Sequence, residues 1–444
     1  MRTEIFLGSR ESRSIRFEPG PDQPGGFGSA WQGFVVNPRN RSVGILFAIL
    51  VVVMLGFGII IPVLPLYARS MGATSVHLGF LMATFSAFQF IFAPIWGSLS
   101  DRIGRKPVLM IGLVGYMLSH LFNGAAQNVW MLFLARMLGG MLSSATLPIS
   151  LALISDVTDE KDRGGGMGIM GAAMGTGIVF GPSLGGLVSH YTDSYRMPFF
   201  VAAALVAVLI PLAWSLLRET LPASERERHQ LAYTANGSPS PVDRFRGLTR
   251  ALHGHLRFYF LLTFLVSFAA ANLEGIFSFF VMDKFGYGSR EIGVMFTVLG
   301  VTLVVLQGFL VGRAINRIGE PRLILFGMLV TAAGFYLLTL AHSFLTVTIF
   351  LTINMSGGAF LRPSINSTVS KRTLAGQGAT MGLIGSFDSL GRMVGPVWAG
   401  LVYKLGVNFP FYTGAAITCI AMVTSAFVLR RPALAPSLDP MARK

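Results

Sequence analysis

Polar and apolar positions along this chain fall into long blocks, with neither the alternation of a surface strand nor the stripe of a surface helix. Residues 1–41 are polar, with Gly, Pro and Arg, and the run Phe34-Val35-Val36 is too short to fold alone. They read as a disordered tail; no apolar h-region follows a short basic start, so a secretory signal is not expected. From residue 43 the chain becomes a series of apolar blocks with short polar breaks. A membrane helix needs about 20 apolar residues. Spans are predicted at 43–68, 76–98, 107–126, 129–154, 165–189 and 198–217, then at 258–282, 290–312, 322–341, 344–368, 378–404 and 409–429. The expected fold is an all-α membrane protein of twelve transmembrane helices in two six-helix halves, 42–217 and 258–429. The stretch 218–257 holds Glu225 to Arg228 and a Gly237-Ser238-Pro239-Ser240-Pro241 run, which suits a cytosolic linker. Residues 430–444 form a second polar tail.

Composition removes the competing classes. Only 12% of the 444 residues are charged and 52% are hydrophobic, too few charges to cover a soluble fold of this length. No Gly-x4-Gly-Lys-Ser/Thr loop and no cluster with metal-ligand spacing occurs, and the polar linker is too short for a catalytic domain. An enzyme, a bound cofactor and a metal site are therefore not expected. The single cysteine, Cys419, lies in an apolar block and reads as a buried, inert thiol.

The net charge of +15 invites a nucleic-acid reading, and its distribution weakens it. With a cytosolic N-terminus, 27 of the 35 basic residues fall in cytosolic segments and five in outer loops: Arg69, Arg196, Lys284, Arg290 and Lys404. That bias sets helix orientation and places both termini inside. The partners expected are the lipid bilayer, a small solute and protons, with no nucleic acid, and a monomer is expected.

Two motifs each occur twice, and the spacing between the copies is nearly the same for both. Gly97-Ser98-Leu99-Ser100-Asp101-Arg102-Ile103-Gly104-Arg105-Lys106 follows span 2, and Gly312-Arg313-Ala314-Ile315-Asn316-Arg317-Ile318-Gly319-Glu320 follows span 8. Span 5 carries Gly177, Gly181, Pro182, Gly185 and Gly186, and span 11 carries Gly391, Gly395, Pro396, Ala399 and Gly400 in the same order. A duplicated six-span unit follows, an architecture that secondary transporters build around a site near the midplane.

These residues resemble the major facilitator superfamily, and within it the twelve-span drug:proton antiporter branch. Gly97 to Lys106 looks like the superfamily's loop 2–3 signature, and Arg136-x3-Gly140 in span 4 is similar to the branch's Arg/Gly element. The Gly-Pro run of span 5 looks like the antiporter signature, and Leu55-Gly56-x5-Pro62-Val63-Leu64-Pro65 resembles the span 1 pattern. The resemblance covers about 43–429. It implies alternating access and export of small, lipophilic molecules in exchange for protons, in the multi-pass setting of a bacterial inner membrane. The proton gradient would be the driving force. The resemblance also adds Asp156 as a partner of the loop 2–3 charges.

The motif residues support those roles. Gly97 and Gly104 permit a tight turn. Asp101, Arg102 and Arg105 can form an ion-pair cluster that closes an inner gate. Gly177, Gly181 and Gly185 fall on one helix face, Pro182 kinks the span, and with Gly186, Gly395 and Pro396 they read as a hinge between halves or as ordinary close packing.

Charge inside a bilayer is costly and usually lines a cavity. Arg136, Glu274, Arg362, Asp388 and Arg392 are the intramembrane charges. Glu274 falls ~24 Å along span 7 and Asp388 ~15 Å along span 11 at 1.5 Å per residue. Burial disfavours the ionised form of a carboxylate unless a base pairs with it, the property a proton carrier requires. Asp388 has Arg392 at i+4 and reads as structural, while Glu274 has no local base and is the preferred protonation site. Many relatives carry an acid in span 1; none occurs between 43 and 68, and Glu274 aligns by the repeat with Ile60. His120 in span 3 can titrate near neutrality, but its place near the outer end reads as interfacial. Gln89, Asn272 and Phe277, with Phe264, Phe268, Phe280, Phe85, Phe88 and Phe90, are the candidate cavity wall. An apolar cavity with one or two acids suits lipophilic cations; Arg136 and Arg362 equally allow anions. Transport of one specific metabolite, sugar or lipid, in either direction, and a non-transporting sensor or scaffold are the alternatives.

Overall fold

The computed structural model describes residues 38–158, 163–236, 249, 251–252, 254, 256–373 and 377–430. Nearly all of the two predicted tails, together with residues 237–248 of the linker, lie outside the described residues. Those described form helices and turns, with no strand among them. Within them, twelve long helices stand where the apolar blocks lie. Spans 1 to 6 are Pro38–Ser70, Ser75–Ile103, Arg105–Ala125, Val129–Val157, Arg163–Thr192 and Met197–Leu216. Spans 7 to 12 are Arg257–Phe285, Ser289–Ile318, Glu320–Thr339, Phe344–Arg372, Gln377–Tyr403 and Phe409–Arg430.

Among the described residues, eleven of these helices are long and apolar enough to cross a bilayer. Span 11 is the twelfth, with 27 residues that include Asp388, Arg392 and several Gly and Ser. It packs against spans 7 and 2. Its polar groups are thereby turned toward protein, which is where a membrane helix tolerates them.

One local expectation changes. Gly97 does not make a turn: span 2 runs on to Ile103, and the break falls at Gly104, with φ +111°. The counterpart is the same, with Gly312 helical and Gly319 turning at φ +83°. One glycine with a left-handed φ suffices to reverse the chain, and a second inside the helix does not break it. The sequence assigned no structure to the predicted linker, and within it Ala223–Asn236 is a helix. Its Glu, Arg and Gln residues favour that state.

The repeat shows as pseudo-symmetric seams. In span 5, Gly177 and Gly181 lie against the backbone of span 1 at Val51, Leu55 and Gly58, and Gly185 against Ile59. In span 11, Gly391 and Gly395 lie likewise against span 7 at Phe264 and Phe268. These glycines join helices within one half, which is the close packing that their spacing allowed as one of its two readings. The contact between halves belongs to neighbouring positions. Gly186 meets Ser289 and Gly293 of span 8, while Gly400 meets Ser75 and Pro396 meets Gly79 of span 2. By the repeat, Ser75, Gly79 and Gly186 are equivalent to Ser289, Gly293 and Gly400 respectively.

Among the described residues, the contacts between halves run from the end opposite the loop 2–3 motif as far as Gly300 against Val179 and Phe90 against the second-half core. Toward the end that carries the loop 2–3 motif, a Cβ added at Gly97, Gly171, Gly175, Gly308, Gly312, Gly382 or Gly385 would meet open space. This motif end is open and the opposite end is closed. Cys419 also departs from expectation: it is exposed on span 12, next to the buried Thr418, on a face turned to the surroundings.

Candidate functional site

Close packing of spans 7 and 11 assembles the mid-membrane charges. Because Gly391 has no side chain, Ser267 can approach span 11, and its hydroxyl donates to Asp388 Oδ1 at 2.5 Å. Arg362 of span 10 reaches the same oxygen at 3.2 Å. One turn beyond Asp388, Arg392 donates through Nε to Asp388 Oδ2 at 3.2 Å and extends Nη1 to Glu274 Oε2 at 3.6 Å. The cluster thus holds two carboxylates and two guanidinium groups and is neutral when all are ionised. Isolated ions would be strongly disfavoured at this depth, and pairing is what makes them tolerable. Their side chains still keep between 26% and 41% of their exposure, so the cluster is not sealed off.

The cluster keeps the order of the two acids and changes the ground for it. Glu274, without a base in its own helix, receives one from span 11, so it is paired after all. The pairing is unequal: Asp388 engages both oxygens and three donors, whereas Glu274 has one contact beyond hydrogen-bond length. The equivalent positions of the first half are Ile60, Met174 and Ile178, so the charged site belongs to the second half alone.

The first half contributes a different polar group. Arg136 is buried at 4% exposure, its guanidinium lies 4.4 Å from the Phe85 ring centre, and its Nε has no hydrogen-bond partner. No carboxylate pairs with it among the described residues. Gly140, in the same element, makes room for the backbone and side chains of Phe85 and Phe88. Nearby, the Tyr116 hydroxyl donates to the Val53 carbonyl at 2.6 Å. His120 is fully buried against that ring, between the carbonyls of Tyr116 and Gly56 at 3.1 and 3.4 Å. It is an internal helix-packing residue and not an interfacial one, because Gly56 lets spans 1 and 3 close over it.

Two candidate wall residues prove structural. Asn272 is buried and donates to the Pro410 carbonyl at 2.9 Å. Phe277 is buried among Phe280, Phe296 and their neighbours. Phe280 is likewise fully buried and Phe268 nearly so, whereas Phe85, Phe88, Gln89 and Phe90 of span 2 are half-buried and remain available as wall.

At the motif end the predicted charges do converge. Arg105 pairs with Asp101 at 2.5 Å and with Asp156 at 3.5 Å, and donates to Ser100 Oγ at 2.8 Å. Arg102 turns back to the Ser98 carbonyl at 3.3 Å. Sequence reasoning missed Glu219, just after span 6. Its carboxylate accepts the backbone N–H groups of Arg105 and Lys106 at 2.9 and 3.0 Å, capping span 3. A side chain at Gly104 would collide with that carboxylate, a second reason for glycine there. Thr220 binds Asp156 at 2.9 Å, so the start of the linker is tied into the cluster. The second half repeats the arrangement with charges reversed: Glu320 and Lys371, which pair, are the repeat equivalents of Arg105 and Asp156.

The Major Facilitator Superfamily profile matches residues 46–269 and 259–444. Multidrug resistance protein 2 of Bacillus subtilis (strain 168) is 30% identical over 387 residues, covering 87% of this chain and 95% of that protein. Multidrug resistance protein 1 of the same strain is 30% identical over 398 residues, covering 90% and 98%. Quinolone resistance protein NorA of Staphylococcus aureus is 26% identical over 390 residues, covering 86% and 95%. Among solved structures, the human organic anion transporter MFSD10 (TETRAN) superposes with a TM-score of 0.64 at 25% identity, over 88% of this chain and all of that one. A bacterial homologue of the human lysosomal transporter Spinster shares the fold with a TM-score of 0.69 at 15% identity, over 87% and 96%. With the paired six-helix seams and the loop 2–3 cluster in place, this chain belongs to the major facilitator superfamily.

Proposed function

We propose that the chain is a proton-coupled efflux transporter for small lipophilic molecules, working by alternating access. The observation that carries this reading is the partly exposed mid-membrane cluster of Glu274, Arg392, Asp388 and Arg362. Similarity to two multidrug resistance proteins and to a quinolone resistance protein supports the substrate class. The excess of basic residues at the motif end supports a cytosolic placement of that end and of both termini, in a bacterial cell membrane. The conformation described is then inward-open. The proton gradient drives the cycle, the protein acts as a monomer, and nucleic acid has no part.

Glu274 carries the proton. When it is protonated, Arg392 gives up a weak contact and keeps Asp388, so the cluster moves from neutral to a single positive charge without breaking its core. Cationic and neutral substrates can exploit that change directly. Arg136, a buried guanidinium with no acid paired to it among the described residues, favours a second substrate class of lipophilic anions.

Purified protein in liposomes tests this. A pH gradient should accelerate efflux of a transported dye by wild type, and Glu274→Gln should bind the dye but lose the acceleration. Cationic, neutral and anionic dyes run side by side assign the substrate class. Full proton-coupled transport by Glu274→Gln would falsify the assignment.

A further inference from the structure

By topology alone Arg69 is one of five basic residues beside outer loops. In the structure it crosses between the halves. Its Nη2 lies 2.5 Å from Asp283 Oδ1, joining the last turn of span 1 to the last turn of span 7. Tyr403, at the end of span 11, donates its hydroxyl to Asp283 Oδ2 at 2.6 Å. The Arg69 guanidinium also lies 5.0 Å from the centre of the Phe279 ring. The repeat aligns Arg69 with Asp283, so they are equivalent positions of the two halves brought face to face.

Three considerations say that this contact has a task. An acid in the last turn of a helix opposes the helix dipole, so Asp283 is unfavourable there unless something holds it. Lys284, beside it, is engaged elsewhere, donating to the Thr339 carbonyl at 2.9 Å. The contact lies at the closed end, where Ser75 Oγ also donates to the Gly400 carbonyl at 2.9 Å across the halves. This end must part for substrate to leave, so each bond that spans it is made and broken once per cycle. Glu274 precedes Asp283 in span 7 by ~14 Å along one helix. A shift of span 7 that follows protonation is therefore delivered to this contact.

We propose that Arg69, Asp283 and Tyr403 form an outer latch that holds the halves closed at the extracellular end and sets the balance between the two access states. They are positioning residues, remote from the substrate site. The latch rests on alternating access and on the proposed orientation, and its test needs no substrate, so its failure is separable from failure of the efflux reading.

The test uses the full chain in cells, with Cys419→Ser and a reporter Ile61→Cys. Ile61 is two turns inward of Arg69 and packs, partly buried, on a core cluster built from both halves. Its labelling by a membrane-impermeant maleimide outside the cell reads how often the outer end opens. Arg69→Gln and Asp283→Asn should each speed labelling about fivefold, which at tenfold per 1.4 kcal/mol is ~1 kcal/mol. Tyr403→Phe should speed it less. Because the two positions are equivalent, Arg69→Asp combined with Asp283→Arg should return labelling toward wild type. Labelling at the wild-type rate in the single variants overturns the latch, as does an exchange variant no slower than the singles. If a single variant fails to reach the membrane, Tyr403→Phe and the exchange variant decide: faster labelling in the first with near-normal labelling in the second supports the latch. Any other pattern in those two rejects it.

Discussion

The two mid-membrane acids have different work, and their hydrogen bonds say which is which. Asp388 is held by Ser267, Arg362 and Arg392, so removing its charge leaves two guanidinium groups short of a partner. Hydrogen bonds to a charged group are worth about 1.5–3 kcal/mol, less where solvent screens them, and two half-exposed guanidinium groups lose such a partner at once. Asp388→Asn should therefore lower the melting temperature of the detergent-purified protein by several degrees. Glu274→Gln, which loses one contact at 3.6 Å, should melt within about a degree of wild type, since a contact that long is barely a hydrogen bond. A thermal melt followed by size-exclusion chromatography separates them, and the reverse order would mean that Asp388 is the dispensable member. The residues themselves were legible in the sequence, because a charge in an apolar block is conspicuous. Their partners were not: Arg392 at i+4 of Asp388 could be read from helix periodicity, but its reach to Glu274 depends on which helix lies beside span 11. Glu219 was invisible for a related reason, being an ordinary linker acid until the fold sets it under span 3.

At the scale of elements, four-residue glycine spacing reveals a flat helix face without naming what lies on it. Gly177 and Gly181 face span 1 and Gly186 faces span 8, so neighbouring glycines of one motif serve different joints. This divides the expected effects of substitution. Gly181→Leu drives a side chain into the Leu55 carbonyl and the Gly58 backbone, inside a half. Overpacking of that kind costs about 1–3 kcal/mol or more, and the variant should be lost from the membrane or melt early. Gly186→Leu instead pushes against Ser289 and Gly293 of the other half. It should leave each half folded and expression normal while abolishing efflux, because the end opposite the motif no longer closes. Comparing the yield of folded protein with dye efflux distinguishes the two, and equal loss of folded protein in both would show that Gly186 belongs to the same seam as Gly181. Turns were harder to read than faces. Both Gly97 and Gly104 fit a turn by residue type, and only the backbone, left-handed at Gly104 alone, tells them apart.

On the scale of the whole molecule, the nearly equal offset between repeated motifs announced two related halves but could not announce the state in which they meet. One sequence serves both access states, and which is occupied depends on the joint between halves. The open glycines make the other state approachable. Gly171 and Gly385 are equivalent by the repeat, each lies three helical turns before the proline that approaches span 8 or span 2, and each faces open space here. Residues eleven apart share a face, since eleven residues make about three turns. Closure of the motif end must therefore bring these two positions toward the opposite half, as Gly186 and Gly400 are now. A bulky residue at either is free while the motif end is open and obstructive when it closes. Gly385→Leu and Gly171→Leu should each keep wild-type melting behaviour and expression, stop dye efflux, and slow labelling of the Ile61→Cys reporter from outside. Both should act alike, because pseudo-symmetry makes them two copies of one position. Undiminished efflux in either variant would mean that the halves do not close along spans 5 and 11.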